Sequence, residues 1–246
     1  MDRLSPIRIQ KGFEVLADRL AEQILTGVIK HGELLPNERD LGEISGLSRG
    51  SVREALRVLE AQGLVSTKRG RNGGRVAVPA GGQSFRRSVE FFIRGQRIPL
   101  SVLLETVEVL EPNLAQLAAR HRDEQDLADL RVAHEKLAAT TTPGRFANAN
   151  ARWHEVMARA SHNPLLIAVY ESLGAAEFLK PRIAGFISDD IRAAVLHAVE
   201  QVERAIVAGD AEAARRRMER HVRAYRASLE AAAPERRNGA RSTAGR

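Results

Sequence analysis

Apolar residues recur at three- and four-residue steps along almost the whole chain, and this spacing restricts the fold more than any other feature. Residues spaced in this way share one face of an α-helix, and packing buries that face. In the first third, one such stripe comprises Phe13, Leu16, Leu20, Ile24 and Val28. From about Ile98 onward, further stripes follow one another. The chain is therefore predicted to be mainly α, with an all-helical bundle in its larger part.

The later stripes define the successive helices of this bundle. They comprise Leu103, Val107, Leu110, Leu114 and Leu117; Leu127, Leu130, His134 and Leu137; Phe146, Asn150, Trp153 and Met157; Leu165, Leu166, Val169 and Leu173; Ile191, Val195, Val199, Val202 and Ile206; and Ala214, Met218, His221 and Tyr225. The polar, arginine-containing segment 232–246 is predicted to be a disordered basic tail.

Two capping signals divide the rest of the first third into two more helices. Asn37 precedes an acidic first turn and Ser48 precedes another apolar stripe, so each is predicted to be an N-cap. The second of these helices ends at Gly63, and it is predicted to bury Val52, Ala55, Leu56 and Leu59.

A short hairpin and a linker follow. The β-prone runs 64–67 and 75–78 flank the turn-forming stretch KRGRNGG. Three helices followed by a two-stranded wing are the plan of a winged helix-turn-helix, so residues 10–78 are predicted to form such a domain with a small β wing. Residues 79–97 are predicted to be a linker and a connecting helix, and residues 98–231 a helical domain.

The composition excludes several kinds of site. The 246 residues include no cysteine, which excludes disulfides, thiolate nucleophiles and cysteine-ligated zinc. No aliphatic stretch is long enough to span a bilayer, and the first ten residues lack the apolar core of a signal peptide. We therefore expect a cytoplasmic protein without a membrane partner. The formal charge of +7 indicates an anionic partner if the cations are concentrated in one place.

The third helix has the features of a helix that reads DNA. With its apolar stripe buried, Gly50 and Arg53 point outward, while Ser48 and Arg49 lie at its exposed N-terminal end. Backbone N–H groups at such an end attract phosphate, and Ser48 and Ser51 can donate to phosphate oxygens. Either arginine could contact the O6 and N7 edge of guanine. Gly50 removes a side chain where the helix must approach closely. The alternative is that both arginines are ordinary surface residues.

The hairpin concentrates positive charge. Between Glu60 and Glu90 there are six basic residues and no acidic one: Lys68, Arg69, Arg71, Arg75, Arg86 and Arg87. Lys68 and Arg69, with Gly70, lie at the tip, where cations suit a phosphate backbone or a minor groove. A solvated hairpin without a partner is the alternative, because runs of charge are common.

Residues 34–78 resemble the DNA-binding domain of GntR-type bacterial transcription regulators. The matching features are Leu35-Pro36-x-Glu38-Arg39, Leu47-Ser48-Arg49, Val52-Arg53-Glu54-Ala55-Leu56, Leu59, Gly63-Leu64-Val65 and Gly73-Gly74. The resemblance implies that DNA is contacted by Arg39, Ser48, Arg49, Ser51, Arg53 and Arg69 with Gly70. Gly50 departs from the Pro or Thr more usual in the family, which implies that one local contact is missing.

The helical part resembles the FCD ligand-binding domain of the FadR-like branch of this family. The matching pieces are Leu110-Glu111-Pro112 with Leu117-Ala118-Ala119, Trp153-His154 with Ala160-Ser161-His162-Asn163, and Ala205-Ile206-x-x-Gly209-Asp210 with Ala214, Met218 and His221. The two resemblances together cover most of residues 13–225. They imply that residues 98–231 bind a ligand and form the dimer.

Such FCD domains often hold a divalent metal such as zinc through an aspartate, a histidine four residues later, and two further histidines. In this chain, the resemblance places Asn150 at the aspartate position, retains His154 and His221, and places Val199 at the remaining position. His197 lies two residues from Val199 and is predicted to face outward. We therefore expect no required cofactor and weak or no metal binding. The alternative is that His154 and His221 are hydrogen-bonded core histidines.

The same resemblance bears on the effector. The family tends to place an arginine four residues before Glu111, where this chain has Val107. Such an arginine would suit a carboxylate, so its loss favours an effector that is apolar or bulky, such as an acyl compound, or no effector.

Together these features predict a homodimeric, ligand-responsive transcription regulator, with repression as the favoured sign. One winged helix reads few base pairs, whereas two related by a twofold axis read a palindromic operator in double-stranded DNA. One alternative is an architectural DNA-binding protein with a vestigial sensor domain. A metal-dependent enzyme has less support, because the chain has no HExxH, Walker A or GxSxG motif. We therefore expect no enzymatic activity.

Overall fold

The computed structural model describes residues 11–70, 73–79, 82–173 and 187–242, with side chains described as far as residue 228. It divides into two compact units, Met1–Phe85 and Arg86–Arg246. Most of the described residues are helical and the strands form one small sheet, so the predicted mainly α class is confirmed. No helix among the described residues is long and apolar enough to cross a membrane.

The first unit contains three helices and a two-stranded antiparallel sheet. Its elements are α1 (Gly12–Leu25), α2 (Glu38–Ser45), α3 (Arg49–Gln62), β1 (Val65–Lys68) and β2 (Gly74–Ala77). In the sheet, Val65 lies opposite Ala77 and Lys68 lies opposite Gly74. The apolar faces of the helices and the base of the sheet form one core, which contains Ala17, Leu20, Ile24, Leu35, Leu41, Val52, Ala55, Leu56, Leu59, Leu64, Val65 and Ala77.

The capping residues fix where α2 and α3 begin and end. Asn37 Oδ1 accepts hydrogen bonds from two backbone N–H groups in the first turn of α2, both at 3.0 Å. Ser48 Oγ accepts one from the Ser51 backbone N–H at 3.2 Å. Gly46 and Gly63 end the two helices in the left-handed conformation, with φ of 69° and 74°. Both predicted N-caps are therefore confirmed.

Two features of this unit differ from the expectation. Helix α1 ends at Leu25, so Val28 lies beyond it and is 69% exposed rather than buried. Gly27, with φ of 78°, turns the chain there. Leu34 pairs with Val76 in an isolated bridge that adds a third extended segment beside β2. A single paired residue has no periodicity, so the sequence pattern did not indicate it.

The second unit is helical throughout its described residues. Helix α4 (Gly82–Gly95) crosses the division between the units, and the following helices are α5 (Leu100–His121), α6 (Glu124–Ala138), α7 (Pro143–Arg159), α8 (Pro164–Ser172), α9 (Asp189–Ala208) and α10 (Ala211–Ser242). Helix α10 packs along α5 and α9, and α6 packs along α7. The fully buried side chains of the core include Leu114, Leu130, Leu137, Phe146, Trp153, Met157, Val199, Ile206 and Met218.

Two predictions for this unit are wrong. Leu165 is 71% exposed, because α8 buries Tyr170 and Ser172 instead. The segment 232–246 was expected to be a disordered tail, but α10 continues through Ser242, and residues 243–246 lie outside the described residues. The segment contains alanine, arginine and glutamate, which favour a helix intrinsically, as well as Pro234 and Gly239, which disfavour one. Its polarity alone did not indicate which of these preferences wins.

Candidate DNA interface and effector site

The N-terminal end of α3 is exposed and carries three of the residues predicted to meet DNA. The side-chain oxygens of Ser48 and Ser51 lie 3.1 Å apart and share a hydrogen bond. The Arg49 side chain is exposed and makes no hydrogen bond or ion pair with any described residue. Its guanidinium donors are therefore available to a partner, beside backbone N–H groups that favour an anion.

Arg53 is exposed, but a carboxylate of α2 holds it. Its Nε lies 3.3 and 3.2 Å from the two carboxylate oxygens of Glu38, and its Nη2 lies 3.1 Å from Glu38 Oε2. The hydrogen bond from Arg53 lowers the pKa of Glu38. Glu38 therefore directs the Arg53 side chain, and a bidentate contact with guanine requires the remaining Arg53 donors or the release of Glu38. The sequence did not indicate that Glu38 pairs with Arg53, because residues 15 apart carry no helical spacing signal.

Arg39 and Gly50 are both open to a partner. Arg39 is 66% exposed, with Nε 3.4 Å from Asp40 Oδ1 and 3.8 Å from Glu43 Oε1. Such exposed pairs are weak, so they leave Arg39 free to reach a phosphate. A Cβ at Gly50 would have Ser48 Oγ, at 3.8 Å, as its nearest neighbour. Packing within the unit therefore does not require glycine at this position.

The hairpin turn presents two unpaired cations. The side chains of Lys68 and Arg69 are exposed and form no hydrogen bond or ion pair within the part of the chain that the structure describes. Gly70 adopts φ of 121°. A Cβ at Gly73 would lie 2.3 Å from the Lys68 carbonyl oxygen, so the turn needs glycine there. Arg71, also predicted to be a cation of the hairpin, lies outside the described residues.

Arg75 does not belong to this cationic surface. Its Nη1 lies 3.0 Å from Glu60 Oε2, and its side chain is only 22% exposed. The Thr67 hydroxyl donates to the other Glu60 oxygen. Glu60 thus ties the last turn of α3 to both strands of the hairpin. Counting Arg75 as a free wing cation was wrong, because the sequence does not show that the acid at the start of the run folds back onto it.

In the second unit, a chain of buried polar side chains links four helices. Glu111 Oε2 on α5 lies 3.1 Å from His154 Nδ1 on α7. The Tyr170 hydroxyl on α8 donates to Glu111 Oε1 at 2.7 Å. On the other side of the ring, His154 Nε2 lies 3.4 Å from Nε2 of His221 on α10, and the two imidazoles are stacked. None of the four side chains is more than 7% exposed.

Burial sets the protonation of this network. It lowers the pKa of His221 to about 4, and it raises the pKa of the neighbouring Tyr225 above its ordinary value. Burial alone would raise the pKa of Glu111, but the charge and hydrogen bond of His154 and the hydrogen bond of Tyr170 lower it. At neutral pH, Glu111 is therefore a carboxylate and His221 is a neutral imidazole.

The predicted metal ligands meet only in part. Two imidazole nitrogens 3.4 Å apart suit neighbouring ligands of a tetrahedral ion, and Glu111 on the opposite ring nitrogen orients His154. Asn150 lies one turn before His154, and its buried side-chain oxygen has no hydrogen-bond partner among the described residues. This oxygen is neutral, however, and the fully buried Val199 offers no donor. These positions therefore offer two imidazole nitrogens and one neutral oxygen as donors.

A cluster that the sequence analysis did not single out lies at the start of α6. Asp123, Asp126 and His162 offer ligand atoms within 4.8 Å of one another. Asp123 and Asp126 also form the capping box of α6, and His162 Nε2 lies 2.5 Å from Asp126 Oδ2. Helix capping accounts for the cluster. His162 is distant in sequence, so spacing gave no signal for it.

A cavity of about 420 Å³ lies between α9 and α10. Of the five residues predicted for the effector pocket, His221 lines this cavity, whereas Val107, Asn150, His154 and Val199 do not. His154 and Val199 face the core instead, and Val107 lies half-buried on α5. His197 is exposed, as predicted, and lines the cavity.

Two family models match the chain in the order of its two units. The model of the gntR family of bacterial regulatory proteins matches residues 13–74. The FCD domain model matches residues 102–224. The first covers the helices and hairpin with the candidate DNA contacts, and the second covers the helices that carry the buried network.

Relatives of the chain are transcription regulators. The chain is 32% identical over 166 residues to the Glc operon transcriptional activator of Escherichia coli K12, covering 65% of each chain. It is 29% identical over 164 residues to the Uxu operon transcriptional regulator of the same strain, covering 65% of this chain and 63% of that one. The matches thus span slightly less than two thirds of these relatives' lengths.

A solved structure shows the same fold. Streptococcus agalactiae GntR superposes with a TM-score of 0.68 at 24% identity, covering 88% of this chain and 99% of that one. With both family models matched in sequence order, the chain belongs to the GntR family of bacterial regulatory proteins and carries an FCD domain.

Proposed function

We propose that the protein is a sequence-specific DNA-binding transcription regulator whose DNA affinity is modulated by a small molecule bound in its helical unit. The observation that carries this proposal is the exposed start of α3, where Arg49 is unpaired and Glu38 directs Arg53. A recognition helix presents its N-terminal residues to base edges at this position. Lys68 and Arg69 supply cations for the DNA backbone.

Fluorescence anisotropy tests this function directly. The probe is a duplex from immediately upstream of the protein's own gene, and the control is a scrambled duplex, both at physiological salt. We expect the native duplex to bind about a thousandfold more tightly or better, as specific regulators do. Equal binding of the two duplexes would mean either that the operator lies elsewhere or that the helix and wing supply only charge, and it would favour the architectural alternative.

The two alternative functions make different predictions. An architectural protein with a vestigial sensor would bind DNA with an affinity that no small molecule changes. A metal-dependent enzyme would need an activated ligand set, whereas the histidines described above face Glu111 and each other. The matched families and relatives are transcription regulators, which supports a protein without enzymatic activity.

We further propose that the protein acts as a homodimer on a palindromic operator and represses transcription in the cytoplasm. Twofold symmetry doubles the number of base pairs read, which a single winged helix needs for specificity. Sedimentation should give a dimer, and a reporter placed behind the upstream duplex should lose expression when the protein is supplied. A rise in expression would contradict repression.

A divalent metal is not required in this proposal, and we expect weak binding at most. His154 and His221 would supply two nitrogens and Asn150 a neutral oxygen. The Val199→His variant adds the imidazole that the family resemblance implies. If the helix register is right, zinc affinity should rise by orders of magnitude in a titration with a competing chelator. No gain would mean that position 199 does not face the histidine pair.

A further inference from the structure

We propose that the cavity between α9 and α10 binds an amphiphilic anion, with the charged head on Arg217 and Arg220 and an apolar body along the groove. This inference rests on the proposed function, because it assigns the effector class and the place where the effector binds. The site differs from the histidine pair that the family resemblance pointed to, and it shares only His221 with that set.

The cavity has a cationic end and an apolar middle. Helix α10 returns along α9 after the turn at Gly209, and Arg217 Nη1 donates to the Gln201 carbonyl oxygen at 2.6 Å. This contact sets the level at which the two helices meet. Beyond it, the walls are mainly aliphatic and aromatic and comprise Ile191, Ala194, Val195, Ala198, Ala224 and Tyr225.

The cationic end can hold an anionic head group. Arg217 and Arg220 lie three residues apart, so their side chains share one face of α10. The Arg220 side chain is exposed and makes no hydrogen bond or ion pair with any residue the structure describes. Arg217 is half-buried and uses Nη1 on Gln201, which leaves its other donors free. Two guanidinium groups match the oxygens of a carboxylate or a phosphate.

The apolar middle requires a ligand with a long apolar body. The lining extends along α9 from Gln201 to Asp190, which is roughly 17 Å at the helical rise per residue. The alanine side chains are small and leave room in the groove, and the volume of about 420 Å³ lies in the range of small-molecule pockets. A short polar acid would leave this surface uncovered. Asp190 at the far end repels a second negative charge, so we infer a single anionic head.

The buried network extends to the cavity wall. His221 lines the cavity and stacks on His154, and the Trp153 ring meets His154 edge-on, with ring centroids 5.1 Å apart. Trp153 is the single tryptophan of the chain. A ligand that moves the His221 ring should therefore change the fluorescence of Trp153.

The test is a titration of the full-length protein with dodecanoate below its micelle concentration. Dodecanol is the neutral analogue of equal chain length, and acetate is the short anion. We expect saturable dodecanoate binding by calorimetry, with a change in tryptophan emission. Dodecanol and acetate should bind on the order of tenfold more weakly or worse, because dodecanol lacks the charged head and acetate lacks the apolar body.

Two variants and a matched control locate the site. Arg220→Gln removes an unpaired exposed charge and Ala194→Leu fills the groove, and each should weaken dodecanoate binding on the order of tenfold. Arg216→Gln removes an exposed charge outside the lining and should leave the affinity unchanged. Equal binding of dodecanol, or unchanged affinity of Arg220→Gln, would overturn the proposal. A third result would also overturn it: the unmodified protein binds no dodecanoate, and Ala194→Leu changes the oligomeric state. The groove would then be covered by a second copy of the chain.

The ligand-free DNA titration separates this inference from the proposed function. If the native duplex is preferred but dodecanoate does not bind, the regulator stands and the effector site is overturned. If dodecanoate binds through Arg220 but no duplex is preferred, the binding site stands and the DNA-regulator function fails.

Discussion

A side chain at position 50 is expected to have opposite effects on stability and on DNA binding. Its Cβ position is open, and glycine inside a helix costs roughly 0.5–1 kcal/mol relative to alanine. We predict that Gly50→Ala raises the melting temperature but weakens binding to the specific duplex several-fold, because α3 must approach DNA closely there. Gly144→Ala is the control, since Gly144 holds the same early position in α7 and is equally open. If Gly50→Ala leaves DNA affinity as unchanged as the control does, the close approach is absent.

Glu38 tests whether a carboxylate directs Arg53. We predict that Glu38→Gln reduces the ratio of specific to random-duplex affinity on the order of tenfold. The variant removes the carboxylate that orients Arg53, which weakens specific binding. It also removes a negative charge that repels DNA, which strengthens binding to both duplexes. Glu22→Gln removes an exposed charge from α1 and is the control for net charge. Anisotropy on both duplexes gives the ratio. An unchanged ratio would show that the contact with Glu38 does not orient Arg53 toward a base.

The same pair has a defined pH dependence. The hydrogen bond of Arg53 lowers the pKa of Glu38 in the folded protein. The contribution to stability is therefore present above the ordinary carboxyl pKa and disappears as the pH falls through the lowered value. In Glu38→Gln, this part of the acid dependence of the melting temperature should be absent.

At the scale of elements, Glu60 couples the recognition helix to the wing. Its contacts with Arg75 and Thr67 join α3 to β1 and β2. We predict that Glu60→Gln costs about 1 kcal/mol of stability, because the Arg75 pair is mostly shielded from water, and weakens DNA binding as the wing loses its orientation. The control is Glu54→Gln, which breaks an exposed pair with Arg57 on the same helix. Denaturant midpoints and anisotropy would measure both effects, and equal losses in the two variants would contradict the coupling.

Helix starts in the first unit could be predicted because their signals are local. A side-chain oxygen at Asn37 or Ser48 bonds N–H groups two or three residues away, so a short stretch of sequence contains the whole interaction. The pair between Glu38 and Arg53 and the pair between Glu60 and Arg75 connect elements whose meeting depends on the fold. Periodicity identified buried faces but not helix ends, which is why Val28 and Leu165 were misplaced.

At the scale of the whole molecule, the sequence predicted two units and the side chains that fill their cores. It did not predict the cavity between α9 and α10, because a cavity is the space that remains after two helices pack. Spacing placed His197 outward correctly, but it could not indicate that this outward face adjoins Arg217 and Arg220. The family resemblance implied that His154 is a ligand residue, and in the structure its Nδ1 faces the buried carboxylate of Glu111.

The salt dependence of DNA binding reports both whether the wing contacts DNA and how many subunits bind one operator. Each phosphate contact contributes a slope of about −0.9 to log affinity against log salt concentration on B-DNA. If a dimer binds one operator, Lys68→Gln removes two contacts and should reduce the magnitude of the slope by about 1.8, whereas a monomer would lose about 0.9. Arg216→Gln, an exposed change outside the wing, should leave the slope unchanged. A Lys68→Gln slope equal to that of the unmodified protein would mean that the hairpin is solvated rather than bound. The anisotropy series therefore measures how many wings touch DNA at once.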